Sequence, residues 1–133
     1  MSAPLEKLRV LDFSEQLAGP FLSQCLAEMG ARVTKVECAP EGDEMRRSSP
    51  GLFGAMNRGK GSVLLDYTNA ADMERALELV CKTDVMIEGF GPGFMARLGL
   101  GWEDVRAINP RCVYISLSGY GATGPWVKAP GND

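Results

Sequence analysis

Apolar and polar positions along the chain follow two alternating rhythms. "LRVLDF" (Leu8 to Phe13) is a short apolar run of strand type. Pro20 then suits the first position of a helix, where a missing N–H costs nothing. Leu22, Cys25, Leu26 and Met29 follow at i, i+3, i+4 and i+7, which predicts one apolar helix face. Gly30 closes that helix at C′. "RVTKVE" (Arg32 to Glu37) alternates as a second strand, and "SVLLD" (Ser62 to Asp66) is a third. Ala70 to Lys82 reads as an amphipathic helix with Met73, Ala76, Leu77, Val80 and Cys81 on its inner side. "DVMIE" (Asp84 to Glu88) and "RCVYISLSG" (Arg111 to Gly119) complete the strands, with a short helix from Trp102 to Ile108 ending before Pro110.

Strand–helix–strand units of this length build parallel sheets with crossover helices. The expected fold is therefore α/β, a Rossmann-like parallel sheet with helices on both faces. Two segments read as loops: Cys38 to Ser62, rich in Gly, Pro and charge, and "GFGPGF" (Gly89 to Phe94) directly after a strand. Ligands of open α/β sheets bind at the carboxyl ends of the strands. The Ala18-Gly19-Pro20 turn, the Cys38 loop, the Asp66 turn and the Gly89 loop all belong to that edge.

Composition narrows the chemistry. With 133 residues, 45% apolar and 23% charged, the chain has the size and balance of one globular domain. A net charge of −3 argues against a nucleic-acid partner, which needs a basic face. No stretch approaches the roughly 20 apolar residues of a membrane span. The N-terminus also lacks the basic start and apolar run of a secretory leader. The expected location is cytoplasmic. The chain has no histidine, which excludes Ser-His-Asp or Cys-His catalysis within it. Its four cysteines (Cys25, Cys38, Cys81, Cys112) show no paired spacing, so neither a disulfide framework nor a metal site is expected. Cys25, Cys81 and Cys112 fall in apolar periodic segments and read as small core residues.

The turn after the first strand holds one glycine and a proline, which fixes a sharp corner but is poor at wrapping a pyrophosphate. "NRGKGS" (Asn57 to Ser62) lacks the first glycine and the Gly-Lys-Ser order of a nucleotide-hydrolysing loop. Asp12 reads as a residue that bonds loop backbone. Trp102, Tyr120 and Trp126 read as packing residues.

Taken in order, "VLDFSEQLAGPF", "GARVTKVE", Gly42-Asp43 with Arg46, "NRGKGS", "DVMIEGFGPGFMARLGLG", "NPRCVYISLSGYGATGP" and "APGND" cover nearly the whole chain. Together they resemble the family III (CaiB/BaiF-type) CoA transferases, which also include the α-methylacyl-CoA racemases. The resemblance implies that residues 1–133 are the N-terminal Rossmann-like, CoA-binding part of such an enzyme, with the remainder of the family's chain lying beyond it. It implies coenzyme A or acyl-CoA as substrate, a carboxylic acid as second substrate, and an interlocked homodimer for the full-length family.

Carried over position by position, the resemblance assigns CoA contacts to Leu17 and Ala18 in the first turn and to Cys38 at the end of the second strand. It assigns further contacts to Leu65, Asp66, Tyr67 and Thr68, to Gly89, Phe90 and Gly91, to Arg97, and to Asn132 and Asp133 at the C-terminal end. Leu17 and Phe90 would sandwich the adenine or the pantetheine, glycine N–H groups would donate unhindered, and Arg97 would hold a phosphate. The chain departs from the family where Cys38 replaces a basic residue and Thr68 a lysine. Arg46, Arg47, Arg58, Lys60 and Lys128 are the cations available to compensate.

The family's transferases use an aspartate that attacks the acyl-CoA thioester, forming a mixed anhydride and then an aspartyl-CoA thioester. That aspartate would lie beyond Asp133, so no catalytic residue is expected within this chain and the chain alone is expected to be inactive. The racemases use a histidine and an aspartate instead. Asn132 stands where that histidine would be, which favours the transferase; "EGF" and the spacing before "NRGKGS" are racemase-like. A catalytically inactive CoA-binding fragment is the further alternative.

Overall fold

A computed structural model describes residues 2–131. The elements follow in the order β1 (Arg9–Asp12), α1 (Ala18–Glu28), β2 (Arg32–Cys38), α2 (Met45–Ser48), α3 (Pro50–Asn57), β3 (Gly61–Leu65), α4 (Ala70–Cys81), β4 (Val85–Glu88), α5 (Phe94–Arg97), α6 (Trp102–Ile108) and β5 (Val113–Ser116). The strands form one parallel sheet in the order β3-β2-β1-β4-β5. This is the expected Rossmann-like α/β architecture. The strand order reverses between β1 and β4, which makes their carboxyl ends the topological switch point.

Each sheet face has its own core. On one, Leu11, Phe13, Val36, Leu65 and Met86 pack with Ala76 and Val80 of α4, Met95 of α5 and Val105 of α6. On the other, Val10, Val33, Val85 and Ile87 receive Leu22, Leu26 and Ala27 of α1. Toward the carboxyl ends this second face turns polar: Asp12, Lys35 and Glu37 are all buried. Among the described residues no helix is long and apolar enough to cross a membrane.

Several sequence expectations change. The helix α1 starts at Ala18, so Pro20 occupies its third position, still within the first turn where N–H groups lack helical partners. Its buried residues are Gly19, Pro20, Ser23 and Gln24, whereas Met29 is exposed, because the helix leans its N-terminal half onto the polar part of the sheet. In α4 only Ala76 and Val80 are buried; Leu77 and Cys81 fall on the solvent flank. Cys81 is therefore a surface thiol, Cys25 is half-buried, and Cys112 alone of the three lies in the core.

The segment from Cys38 to Ser62 is not a plain loop. It contains α2 and α3, the latter opened by Pro50 at its first turn. Trp102, Tyr120 and Trp126 are exposed, each paired with one other aromatic ring at the surface.

Candidate functional site

Parallel strands about 4.8 Å apart place the carboxyl ends of all five on a ledge roughly 19 Å wide. The turn after β1 stands at its middle, flanked by the ends of β2 and β3 on one side and of β4 and β5 on the other. A long, thin ligand lying across the strand ends suits this shape. Two surface depressions, of about 210 and 330 Å³, lie elsewhere, one at the amino ends of β1 and β2 and one beside Glu28 and Arg58.

The expected site residues occupy this edge in different ways. Leu17 precedes α1 and, with Ala18, is exposed. Cys38 ends β2, half-buried, in register with Leu65 at the end of β3. The Leu65 side chain is fully buried and its carbonyl accepts from Ala39 N at 3.0 Å, so Leu65 supports the edge from beneath. Asp66 Oδ1 accepts from Thr68 N (2.8 Å) and Thr68 Oγ1 (2.7 Å), closing a local turn. These bonds hold the Asp66 carboxyl below its ordinary range.

Tyr67 points its ring toward Phe13, 6.5 Å away, and its hydroxyl is buried without a hydrogen-bond partner among the described residues. Burial pushes that hydroxyl well above the usual tyrosine range. A buried polar atom left unpaired costs about 1–3 kcal/mol. A polar ligand group that reached this hydroxyl would remove that cost.

On the other side of the switch point, Gly89 and Gly91 are exposed, and the Phe90 N–H donates to Glu88 Oε2 at 2.9 Å. Phe90 packs on Phe94 with ring centroids 4.5 Å apart, and the Arg97 guanidinium lies 5.7 Å from the Phe94 ring. Arg97 is exposed, and among the described residues no carboxylate pairs with it. Asn132 and Asp133 lie outside the described residues.

The other cations considered for phosphate are mostly committed elsewhere. Arg46 grips Glu37 with two bonds of 2.7 Å and lies 4.2 Å over the Phe53 ring. Arg58 pairs with Glu28. Lys60 is buried, 1% exposed, and donates to Ser23 Oγ (2.7 Å), Asn57 Oδ1 (2.8 Å) and Pro20 O (2.9 Å). Arg47 donates to Glu41 O at 3.0 Å and is exposed, as are Lys128 and Arg97; of these, Arg97 follows the Gly89 loop in α5.

Sequence reasoning missed the polar machinery under the first turn. Asp12 Oδ1 accepts from Ser14 N (2.9 Å) and from Ser14 Oγ, while Oδ2 accepts from Ser23 Oγ and lies 3.4 Å from Lys60 Nζ. Asp12 thus bonds loop backbone as expected, and a buried ammonium as well. Lys35, also 1% exposed and the register partner of Asp12, donates to Ser14 O at 2.7 Å. Its Nζ sits 2.9 Å from Asp43 Oδ2, close enough for charge pairing though outside hydrogen-bond alignment.

Within this turn Gln16 has φ +64°, the one non-glycine residue with positive φ among the described residues. Holding an L-residue there costs about 1–2 kcal/mol, and such strain clusters at functional sites. Burial, with the charges of Asp43 and Glu37, pushes the neighbouring Glu15 carboxyl above its ordinary range, against the pull of Lys35. The one sequence signal for this network was the placing of Lys35 and Glu37 on the same side of a strand in a sheet expected to carry helices on both faces. Among the described residues no group of three or more His, Cys, Asp or Glu side chains is arranged to hold a metal ion.

Comparison with known proteins adds to this geometry. The model for "CoA-transferase family III" matches residues 5–133. An acyl-CoA transferase of Fusarium pseudograminearum is 40% identical over 97% of this chain and 32% of its own length. An acetyl-CoA:oxalate CoA-transferase of Acetobacter aceti is 40% identical over 98% of this chain and 35% of its own. Among solved structures, a hypothetical protein (Rv3272) of Mycobacterium tuberculosis superposes with a TM-score of 0.94 at 42% identity, covering all of this chain and 38% of that one. A CaiB/BaiF family protein of Brucella suis gives 0.95 at 38% identity with the same coverage. The chain spans about a third of the length of the curated relatives it matches.

Proposed function

This chain belongs to CoA-transferase family III, and from that premise we propose that it supplies the CoA-binding edge of an enzyme moving CoA between carboxylic acids. The observation that carries the reading is the family match over nearly every residue, with transferases among the relatives. The edge geometry supports it: an extended ledge, exposed glycines at the switch point, an unpaired Tyr67 hydroxyl and an uncommitted Arg97.

In this reading the acyl-CoA lies across the strand ends. Arg97 takes a phosphate, and its planar donor fork suits that group. Leu17 and Phe90 offer apolar contact on either side of the switch point. Backbone groups of Gly89 and Gly91 approach the ligand without intervening side chains and Ala18 flanks them from the first turn, while Cys38 and residues 66–68 bound the edge on the β2–β3 side. Asn132 and Asp133 are the remaining contacts that the family resemblance assigns.

The covalent work falls to an aspartate that the family carries downstream of the matched region. Its carboxylate attacks the thioester carbonyl, the C–S bond breaks, and CoA leaves as thiolate with a mixed anhydride behind. The thiolate then attacks the aspartyl carbonyl, releasing the first carboxylic acid as its anion and leaving an aspartyl-CoA thioester. The acceptor carboxylate attacks this thioester in turn, and the thiolate returns to the acceptor's carbonyl, freeing the aspartate. Residues 1–133 alone would bind without turning over, and the working unit would be the interlocked homodimer.

Titration of coenzyme A into the full-length protein by calorimetry tests the binding half, with turnover of acetyl-CoA or succinyl-CoA against a panel of dicarboxylates testing the rest. Arg97→Gln should weaken coenzyme A binding by about tenfold or more, the size of one charge-assisted contact. No heat with the parent protein, and no new thioester from any acceptor, would overturn the reading.

A further inference from the structure

Two lysines to which the family resemblance assigns no contact with the ligand have buried side chains under one turn. Lys35 and Lys60 come from β2 and from the segment before β3, and each side chain is 1% exposed. An ammonium taken out of water is costly unless its partners compensate. Here the partners include the two ends of the same short segment. Lys35 Nζ holds Ser14 O at 2.7 Å, where the chain leaves β1. Lys60 Nζ holds Pro20 O at 2.9 Å and Ser23 Oγ at 2.7 Å, in the first turns of α1.

Between these anchors run Glu15 to Gly19, including Gln16 in its positive-φ conformation and the exposed Leu17 and Ala18. Asp12 joins the anchors, since it accepts from both Ser14 and Ser23 and lies 3.4 Å from Lys60. Asp43 Oδ2, 2.9 Å from Lys35 Nζ, balances its charge. All the polar atoms of Ser14 are engaged: its N–H and hydroxyl by Asp12, its carbonyl by Lys35. The segment that carries Gln16 is thus anchored at both ends by buried bonds.

We propose that Lys35 and Lys60 are positioning residues for coenzyme A: buried ammonium clamps that hold the Gln16–Ala18 backbone in its ligand-ready shape without touching the ligand. This rests on the reading of the carboxyl edge as the CoA site. With either clamp removed, the turn samples other conformations, and the apparent affinity falls by the fraction of time it spends in the competent one.

The test uses the full-length protein with coenzyme A as the probe. Lys60→Met keeps the length and packing of the side chain while removing its charge and donors; Lys35→Met paired with Asp43→Asn removes an ammonium together with its carboxylate. Each variant is expected to raise the calorimetric Kd by roughly tenfold, with stoichiometry near one site and faster amide exchange confined to residues 15–19. Arg75→Ala, an exposed pair on α4, is the control with unchanged Kd. A purely structural role would lower the stoichiometry and the melting temperature while leaving Kd unaltered, and that result would overturn the proposal. If a lysine variant does not fold, Gln16→Val keeps the clamps but disfavours the positive-φ shape that they hold. A raised Kd there supports the idea, and an unchanged Kd with unchanged exchange overturns it. Failure of the parent protein to bind coenzyme A would instead remove the site reading itself.

Discussion

Ser14 and Gly19 sit so close that no side chain fits between them: a Cβ on Gly19 would fall 2.0 Å from Ser14 Oγ and 2.1 Å from Ser14 Cβ. Two effects oppose each other at this helical glycine. Alanine normally gains about 1 kcal/mol over glycine inside a helix, but a clash of this size in a fully buried site costs about 1–3 kcal/mol. Ser14 has no freedom to retreat, since Asp12 and Lys35 hold it. Gly19→Ala is therefore expected to destabilise the chain by up to about 2 kcal/mol net, and Ser14→Gly in that background should recover part of the loss. Urea unfolding of the two single variants and the double decides it; a Gly19→Ala chain as stable as the parent would show the contact to be relieved cheaply.

The Glu37 carboxylate gives the fold an acid-sensitive joint. Burial opposes its ionisation, but the Arg46 guanidinium, the Asp43 N–H and the Ser62 hydroxyl outweigh burial and hold its pKa at about 2 against an ordinary 4.5. A carboxyl depressed in the folded state contributes stability that is complete above its unfolded value and is lost as pH falls through the folded one. The window for Glu37 thus runs from about 4.5 down to about 2. Glu37→Gln should be less stable than the parent at pH 7 and should show a flatter decline in melting temperature across that window. Arg46→Ala, which strands a buried carboxylate, should cost about 2–3 kcal/mol. Parallel melting curves for parent and Glu37→Gln from pH 7 to 2 would refute the assignment.

Asn69 starts α4. Its Oδ1 accepts from Ala71 N at 2.9 Å and Asp72 N at 3.3 Å, satisfying two N–H groups that the helix leaves open. Asn69→Ala is expected to cost about 1 kcal/mol and Asn69→Ser to keep most of it. Chemical denaturation reads this directly; equal losses for both substitutions would mean that the cap contributes nothing specific.

How much of this was legible beforehand differs by feature. Gly30, with φ +102° directly after the last residues of α1, closes that helix where the sequence pattern placed the stop. The helix from Trp102 to Ile108 also has the bounds its pattern implied. The inner face of α1 was legible in part: Leu22 and Leu26 pack on the sheet as expected and Met29 does not, because spacing identifies which residues share a face but not what that face meets. Here its N-terminal half meets Asp12 and Lys60 rather than an apolar sheet. Cys81 followed the same error, lying one position round the helix from Val80, enough to reach solvent.

The candidate site divides along the same line. Order along the chain sufficed for the parallel sheet, because apolar runs of strand length separated by helical periods have few ways to bury both faces. It therefore also brought Leu17, Cys38, Asp66 and Gly89 to one edge. Only the folded chain decided that Lys60 faces inward, that Arg46 is committed to Glu37, that Leu65 is core, and that Arg97 has no carboxylate partner among the described residues. Charge in a sequence has no direction; whether a lysine meets water or a buried carboxylate depends on partners dozens of residues away, as Asp12 and Lys60 are, and on the sheet register that carries them together.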